Sequence, residues 1–404
     1  MADAMMNRRG FFKLGGAVAA GLGGATILAG CGGGSSSGGG DTIKVGMVFS
    51  ETGDMAQYGM SMRRGVELYV KEFNDKGGAG GKKIDLQNQD DKGDATETVN
   101  AYNKMAEDGI VGVLGSVSST ATVALAQATA TDNLPMVTPA ATAADVVEKG
   151  KNTFRACFTD PEQGVVMADF AAEKGYKTIG TIFDSGGDYN KGVNEAFCEE
   201  AAKKGITISS QQGYSAGDVD FKGLLTTIIA TNPDAIFCPN YFNDVGKIVT
   251  QGRELGYKGP FLGADGWDGI IGGDQEYASA EDLAGCYYDS SFTTASEDQK
   301  VKDFLKAFGD ANDGAKPDNF AALAYDAAAI LLQAIKKVEE AGDKKAGTED
   351  YKQAVIDAIA GNTVEGVTGK ISYAGTGDPK KSVLIIGIGN DGSVTVADTI
   401  EPSD

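Results

Sequence analysis

Short apolar runs alternate with longer amphipathic segments along the chain from Thr42 onward. The apolar runs are rich in β-branched residues, which favour strands, and the segments between them repeat their apolar positions with a helical period. The predicted strands are 43–50, 109–114, 178–183 and 235–238. The predicted helices are 59–74, 119–131, 191–204 and 244–255. Alternation of this kind predicts an α/β fold with parallel sheets and right-handed crossovers.

The loops after the predicted strands carry the candidate binding chemistry. Ligands of open α/β sheets bind beyond the carboxyl ends of the strands. Hydroxyl, tyrosine and aspartate side chains follow the strands at 51–58, 115–120, 138–142, 184–189, 240–241 and 263–266. Ser118, Ser119 and Thr142 lie at or near helix N-termini, where free N–H groups and the helix dipole favour an anion. Each of the three could equally serve as a simple helix cap.

The first forty residues show a different pattern. Arg8, Arg9 and Lys13 precede a Gly- and Ala-rich apolar run, which ends at Gly30 immediately before Cys31. A basic region, an apolar region and small residues before a cleavage site predict a secretory signal peptide over residues 1–30. The arginine pair is compatible with both general and twin-arginine export. Residues 31–41, rich in Gly and Ser, are predicted to form a flexible tether.

Length, charge and composition exclude several classes of protein. The 404 residues exceed what one hydrophobic core usually serves, so we expect two lobes. The formal net charge of −21 argues against a nucleic-acid partner, because phosphate binding needs a basic face. The chain contains no histidine, which removes Ser-His-Asp and Cys-His catalysis and His-containing zinc sites. No enzymatic activity is predicted.

Two further features bear on cofactors. Gly387–Gly392 spells G-x-G-x-x-G, but a strand-like run follows where a dinucleotide site needs a helix, so we expect a hairpin turn at 390–392 and no cofactor. The four cysteines after Cys31 are Cys157, Cys198, Cys238 and Cys286. No C-x-x-C pair occurs among them, so no metal site is predicted, and disulfides and free thiols both remain open.

Several short motifs together resemble a known family. They are Val45–Gly46, Ala56–Gly59, Asn74–Gly78, Asp90–Asp91, Ser118–Thr120, Thr138–Thr142, Asp160–Gly164 and Gly263–Gly266. In this order they resemble the leucine/isoleucine/valine-binding proteins of bacterial ABC transporters. Leu28–Cys31 resembles the lipobox of bacterial lipoproteins. That resemblance implies lipidation of Cys31 and an extracytoplasmic protein anchored to the cell membrane, for which two acyl chains suffice.

The resemblance also implies a fold and its boundaries. It is the type I periplasmic-binding fold, with two Rossmann-like lobes joined by a three-segment hinge. Lobe 1 would comprise 42–159 and 288–367, and lobe 2 would comprise 160–287 and 368–404. We expect a monomer that binds a small amino acid between the lobes and delivers it to an ABC permease.

The family resemblance assigns roles to particular residues. Ser119 and Thr142, with Ser118 nearby and the backbone of Ala140 and Ala141, would bind the ligand carboxylate, and Asp265 would pair with the ammonium group. The side-chain pocket would be walled by Tyr58, Tyr189, Tyr241 and Phe320. Asp160, at the first crossing between lobes, would contact either the ligand or only the hinge. Family members often have Glu where Asp265 stands, which leaves the identity of the ligand open.

A branched aliphatic amino acid is the leading ligand. The alternatives are another small zwitterion or amide, such as an aromatic amino acid or a urea-like compound. A sensory module that signals through a partner receptor would present the same cleft. A Rossmann-type enzyme is the remaining alternative, and the missing histidine and nucleotide fingerprint argue against it.

Overall fold

A computed structural model describes residues 42–271 and 277–400. The strands are β1 Thr42–Phe49, β2 Lys83–Asp90, β3 Val113–Gly115, β4 Met136–Thr138, β5 Thr153–Arg155, β6 Thr178–Asp184, β7 Thr207–Tyr214, β8 Ala235–Phe237, β9 Phe261–Leu262, β10 Tyr287–Ser290, β11 Thr363–Gly366, β12 Gly369–Ser372, β13 Val383–Ile388 and β14 Val394–Ile400. The α-helices are α1 Ala56–Asp75, α2 Ala95–Glu107, α3 Ser119–Thr131, α4 Asp160–Glu173, α5 Asp188–Lys203, α6 Lys222–Ile229, α7 Phe242–Glu254, α8 Ala280–Leu283, α9 Gln299–Ala311, α10 Asn319–Ala341 and α11 Glu349–Ala360. Short 3₁₀ turns cover Ala144–Lys149 and Asp265–Trp267.

The first sheet is parallel throughout, with strand order β2-β1-β3-β4-β5. Alternate residues of β1 point to opposite faces, as a strand requires. Val45 and Met47 pack in one buried cluster with residues of α1 and α10, whereas Val48 packs in another with residues of α2 and α3. Helices therefore cover both faces, which is why β1 is almost continuously apolar.

The second sheet has the order β14-β13-β10-β9-β8-β6-β7. Its strands from β7 to β10 are parallel, but β13 pairs antiparallel with β10 and with β14. The four strands from which parallel sheets were predicted, β1, β3, β6 and β8, are parallel as expected, whereas the last two strands of the chain are antiparallel. The cause is the tight turn at 390–392, closed by the Gly389 N–H to Ser393 carbonyl bond of 2.8 Å. The predicted hairpin at this turn is confirmed.

The predicted elements occur where expected, with shifted ends. The helix at 119–131 has the observed bounds, and the other three predicted helices differ by a few residues at their ends. The strand predicted at 109–114 begins only at Val113, because Gly109 has a φ of +83° and the chain turns there before entering the sheet. Helix and strand periodicity thus located the elements better than it located their ends.

The chain passes between the two sheets in three places. It leaves the first sheet after β5 and enters α4, leaves the second sheet after β10, and re-enters it at β13 after the small β11–β12 sheet. Strand β10 continues the second sheet to Ser290, three residues beyond the predicted boundary at 287/288. The division into lobes stays a prediction. The predicted signal peptide 1–30, the lipidation predicted at Cys31, the predicted tether 31–41 and residues 401–404 lie outside the described residues.

The remaining cysteines are free thiols. Cys157, Cys238 and Cys286 are buried, and Cys198 is half-buried. Within the described ranges, no cluster of three or more acidic, Cys or His side chains has the geometry to hold a metal ion. None of the helices in these ranges is long and apolar enough to cross a membrane.

Candidate functional site

Two loops of the first sheet bring hydroxyl and amide groups together. Ser118 is the N-cap of α3, and its Oγ accepts a bond of 3.3 Å from the Ala121 N–H. The next residue, Ser119, is buried at the start of the helix, and its Oγ accepts a bond of 3.2 Å from the Ala143 N–H. This bond joins the N-terminus of α3 to the loop after β4. The two predicted carboxylate-binding segments are therefore adjacent.

Arg155 holds the second of these loops in shape. Its side chain is fully buried and donates bonds of 2.9 Å to the carbonyls of Ala141 and Ala143. Its Nε lies 2.7 Å from the Asp378 carboxylate. In a trans peptide the carbonyl and the following N–H point in opposite directions, so the Thr142 N–H points away from Arg155. The Thr142 N–H in this orientation can bind an anion together with the hydroxyl of Ser119.

Asp265 lies in the loop that follows β9 in the second sheet. Its side chain is buried, and its main-chain N–H donates a bond of 3.0 Å to Oε1 of Gln163. The adjacent Gly266 N–H donates to the Tyr189 hydroxyl at 3.0 Å. A Cβ at position 266 would lie 2.8 Å from that hydroxyl oxygen and 3.0 Å from the Asn240 carbonyl oxygen, so a side chain there would displace the Tyr189 ring. The loop therefore places the Asp265 carboxylate beside Tyr189.

The Asp265 carboxylate is in an environment that disfavours its charge. Burial raises its pKa above the ordinary value, and hydrogen bonds from Tyr189 and Gln163 offset only part of that rise. An ionised carboxylate in such a place needs a cation for compensation. No lysine or arginine forms an ion pair with Asp265 among the residues described.

Asp160 connects the two sides of the cleft. It begins α4, whose start is fixed by a capping box between Thr159 and Glu162. The Asp160 N–H donates a bond of 3.0 Å to the Thr142 carbonyl. Its buried carboxylate approaches α5 so closely that a Cβ at Gly192 would lie 2.6 Å from Oδ2. Burial raises the Asp160 pKa well above its ordinary value, and the Thr142 hydroxyl offsets part of this.

Aromatic rings form a wall beside these groups. The ring centroids of Tyr189 and Tyr241 are 5.1 Å apart, and those of Tyr241 and Tyr58 are 5.6 Å apart. Tyr58 stacks on Phe242 at 4.0 Å and meets the edge of Phe320 at 4.8 Å. Such rings enclose an apolar group while their hydroxyls find polar partners.

Direct bonds cross between the helices of the first sheet and the loops of the second. The Tyr58 hydroxyl donates to the Gly266 carbonyl at 2.6 Å and accepts from the Phe242 N–H at 2.9 Å. The Thr120 hydroxyl donates to the Asp188 carboxylate at 2.9 Å. The cleft between the two sheets is therefore closed, which explains why nearly all of its polar groups are buried.

The predicted site residues lie close together in the structure, but two of them have structural roles. Ser118 caps α3 in the way that the alternative interpretation required, and Phe320 lies behind Tyr58 as part of its packing. Three neighbours were missed by sequence reasoning: Gln163, Phe242 and Asp289. The only available signal was an aspartate inside the apolar run 286–290, because charged residues are rarely fully buried without a partner. Contact with a ligand stays a prediction for all of these residues.

The chain belongs to the periplasmic binding protein family, whose model matches residues 42–392. Members of this family are substrate-binding transport proteins. One relative is the Leu/Ile/Val-binding protein BraC3 of Rhizobium johnstonii, which is 32% identical over 340 residues, covering 83% of this chain and 88% of the relative. Another is the leucine-, isoleucine-, valine-, threonine- and alanine-binding protein of Pseudomonas aeruginosa, which is 29% identical, covering 84% of this chain and 88% of the relative.

A solved structure shows the same architecture. It is the branched-chain amino acid transporter substrate-binding protein LivJ of Streptococcus pneumoniae in complex with isoleucine. The TM-score is 0.80 at 31% sequence identity, and the match covers 90% of this chain and all of LivJ. The predicted family and the type I periplasmic-binding fold are thereby confirmed.

Proposed function

We propose that this protein captures a zwitterionic amino acid in the closed cleft. The observation that supports this most directly is that one site combines groups that bind an anion with a buried carboxylate that needs a cation. The Thr142 N–H and the Ser119 hydroxyl lie together where the loop after β4 meets the start of α3, and Asp265 is a buried carboxylate that forms no ion pair among the described residues. An amino acid brings a carboxylate and an ammonium group to these two places, and charge-assisted bonds of this kind are strong in a dry cleft.

The side chain of the ligand is proposed to be branched and aliphatic. Tyr58, Tyr189 and Tyr241 supply a large apolar surface, and two of their hydroxyls are already bonded to backbone groups. A polar side chain would find few free partners on this wall. The names of the relatives point to leucine, isoleucine and valine, which fit such a wall.

Closure supplies the mechanism of capture. A ligand that contacts the first sheet's loops with its carboxylate and Asp265 with its ammonium group stabilises the closed form over the open one. The free-energy difference between its contacts in the two forms sets the extent of the shift. The closed monomer then presents the amino acid to the permease of an ABC transporter on the outer side of the membrane. No cofactor and no chemical step is needed.

A thermal-shift screen tests this proposal. The body from Asp41 onward is mixed with each of the twenty amino acids, with urea and with short amides. We expect a higher unfolding temperature with Leu, Ile and Val, increasing with ligand concentration, because the ligand binds only the native state. A shift with an aromatic amino acid or an amide would replace the side-chain assignment. The absence of any shift would contradict amino-acid capture.

We also propose that the mature protein is a lipoprotein anchored through Cys31. The basis is the order of basic residues, apolar run, Leu28–Cys31 and Gly/Ser tract in the sequence. When the full chain is expressed in bacteria, we expect it in the detergent-rich phase after Triton X-114 separation. The Cys31→Ser variant should move to the aqueous phase. Equal partitioning of the two would contradict the lipid anchor.

A further inference from the structure

A third buried carboxylate, that of Asp289, lies near the carboxylates of Asp160 and Asp265. Asp289 is in the middle of β10, where it pairs in register with Ile385 of β13. Its side chain is fully buried, and neither carboxylate oxygen has a well-formed hydrogen bond. The Asp265 N–H faces this carboxylate and offsets part of the cost of burial. A fully buried carboxylate with no well-formed hydrogen bond is rare, because its desolvation is costly unless something compensates it.

The position of Asp289 directs it toward the ligand site. Neighbouring residues of a strand point to opposite faces of the sheet, so Tyr287 and Asp289 share a face. The Tyr287 ring packs against Phe170 of α4 at 5.0 Å, which places this face beneath α4. Asp160 begins the same helix, and β10 pairs with β9, Tyr287 opposite Leu262, so Asp289 also lies beside the loop that carries Asp265. Burial is the larger cause of the raised Asp289 pKa, and charge repulsion from Asp265 and Asp160 raises it further.

The three carboxylates are not balanced by protein cations. Arg155 is the basic group whose charge lowers the Asp160 pKa, and its guanidinium is occupied by Asp378 and the carbonyls of Ala141, Ala143 and Ala144. The other titratable neighbours of the cluster are Cys157, Asp188, Asp268, Tyr58, Tyr189 and Tyr241. Burial raises the pKa of the Cys157 thiol to about 12 and raises those of the three tyrosines, so these four groups stay neutral between pH 5 and 8. Burial also raises the pKa of Asp268 to about 7, but its carboxylate has partners of its own, the Asn319 N–H and the Ser290 hydroxyl.

We propose that Asp289 is a positioning residue of the ammonium site, which acts through Asp265 so that the closed cleft holds either a ligand cation or a proton. This inference rests on the proposed function, since it concerns the same site. The ammonium group and the proton compete for one cluster of negative charge. Ligand binding to the closed, empty form therefore expels a proton, and acid weakens ligand binding by the reciprocal effect, because the proton stabilises that empty form. The empty cleft closes only at the cost of taking up that proton.

The sign of the pH effect follows from burial. Each carboxylate in the closed, empty cleft has a pKa above its value in water, so the cluster retains a proton at a pH where an exposed aspartate has lost it. The bound ammonium group lowers these pKa values again. Below the pKa of the cluster, the affinity should fall about tenfold for each pH unit if one proton is exchanged.

Isothermal titration of leucine into the body from Asp41 onward, at several values between pH 5 and 8 and in phosphate and Tris buffers, tests this directly. For the unmodified protein we expect about one proton released per leucine in the acidic part of this range, seen as different heats in the two buffers. For Asp289→Asn we expect proton release near zero and a flatter pH profile, with an affinity below that of the unmodified protein at pH 8. Asp234→Asn is the control, since Asp234 is exposed and precedes the amino end of β8, whereas the cleft lies beyond the carboxyl ends of the parallel strands of this sheet. It should behave as the unmodified protein.

Two results would overturn the role of Asp289. One is a pH-independent leucine affinity with no proton release in the unmodified protein, a result that does not depend on whether Asp289→Asn folds. The other is an Asp289→Asn protein whose pH profile and proton release equal those of the unmodified protein. Both outcomes leave amino-acid capture intact, whereas a lack of any binding to the unmodified protein would contradict the proposed function itself.

Discussion

Asp265→Ala should lose roughly 30-fold to several thousand-fold in affinity for the amino acid that the cleft binds. Truncating one partner of a buried charge pair costs about 2–5 kcal/mol, much of it because the other charge remains buried and unpaired. The ammonium group of the ligand would be left in this position once the cleft closes. Isothermal titration of the variant and the unmodified protein measures the difference.

The same variant should keep or gain stability in the absence of ligand. The folded-state pKa of Asp265 is raised, so its ionisation opposes folding, and that cost grows as the pH rises above the ordinary aspartate pKa. Removing the carboxylate at pH 7 removes the cost. Asp303→Ala, on the exposed face of α9, is the control for both measurements. An Asp265→Ala protein with normal affinity would contradict the assigned ammonium site.

Arg155→Met should lower both stability and affinity. The substitution leaves the carbonyls of Ala141 and Ala143 without their partner and the Asp378 carboxylate without its cation. We expect a loss of about 3 kcal/mol in the free energy of unfolding, measured by urea denaturation. Affinity should fall as well, because the Thr142 amide is no longer held in one orientation.

Arg253→Met provides a matched control. Arg253, in α7, also donates to backbone carbonyls, at 2.9 Å to Asp282 and at 2.7 Å to Gly259. It stabilises a part of the second sheet that does not line the cleft. We expect a comparable loss of stability with unchanged affinity per folded molecule. Equal loss of affinity in both arginine variants would show that Arg155 acts on binding only through general stability.

Much of the fold could be predicted because the chain's periodicity is simple. The β1 run 43–50 is apolar on both faces since helices cover both faces of its sheet, and the α3 segment begins at a serine that caps it. The arrangement of the antiparallel strands β13 and β14 could be predicted only in part. A hairpin turn predicts that two strands pair, but it does not predict which sheet they join.

The polar loops of the site could be predicted from the sequence, but the buried residues that pack around them could not. Ser119, Thr142 and Asp265 follow strands, where the carboxyl ends of parallel strands meet, and their chemistry is visible in the sequence. Gln163 is far from Asp265 along the chain and reaches its N–H from the start of α4, whereas Asp289 lies beside the Asp265 loop because β10 pairs with β9. Phe242 stacks on Tyr58 because the two sheets come together, and no local pattern encodes that contact.

Titration of leucine beside two analogues that each lack one charge tests most directly whether the cleft binds a zwitterion. Isocaproate retains the carboxylate without the ammonium group, and isoamylamine retains the ammonium group without the carboxylate. We predict measurable binding for leucine and a loss of at least about 100-fold for each analogue, because each leaves one buried charged subsite unpaired. Binding of either analogue as tightly as leucine would contradict the assignment of the carboxylate loop and Asp265 as two halves of one amino-acid site.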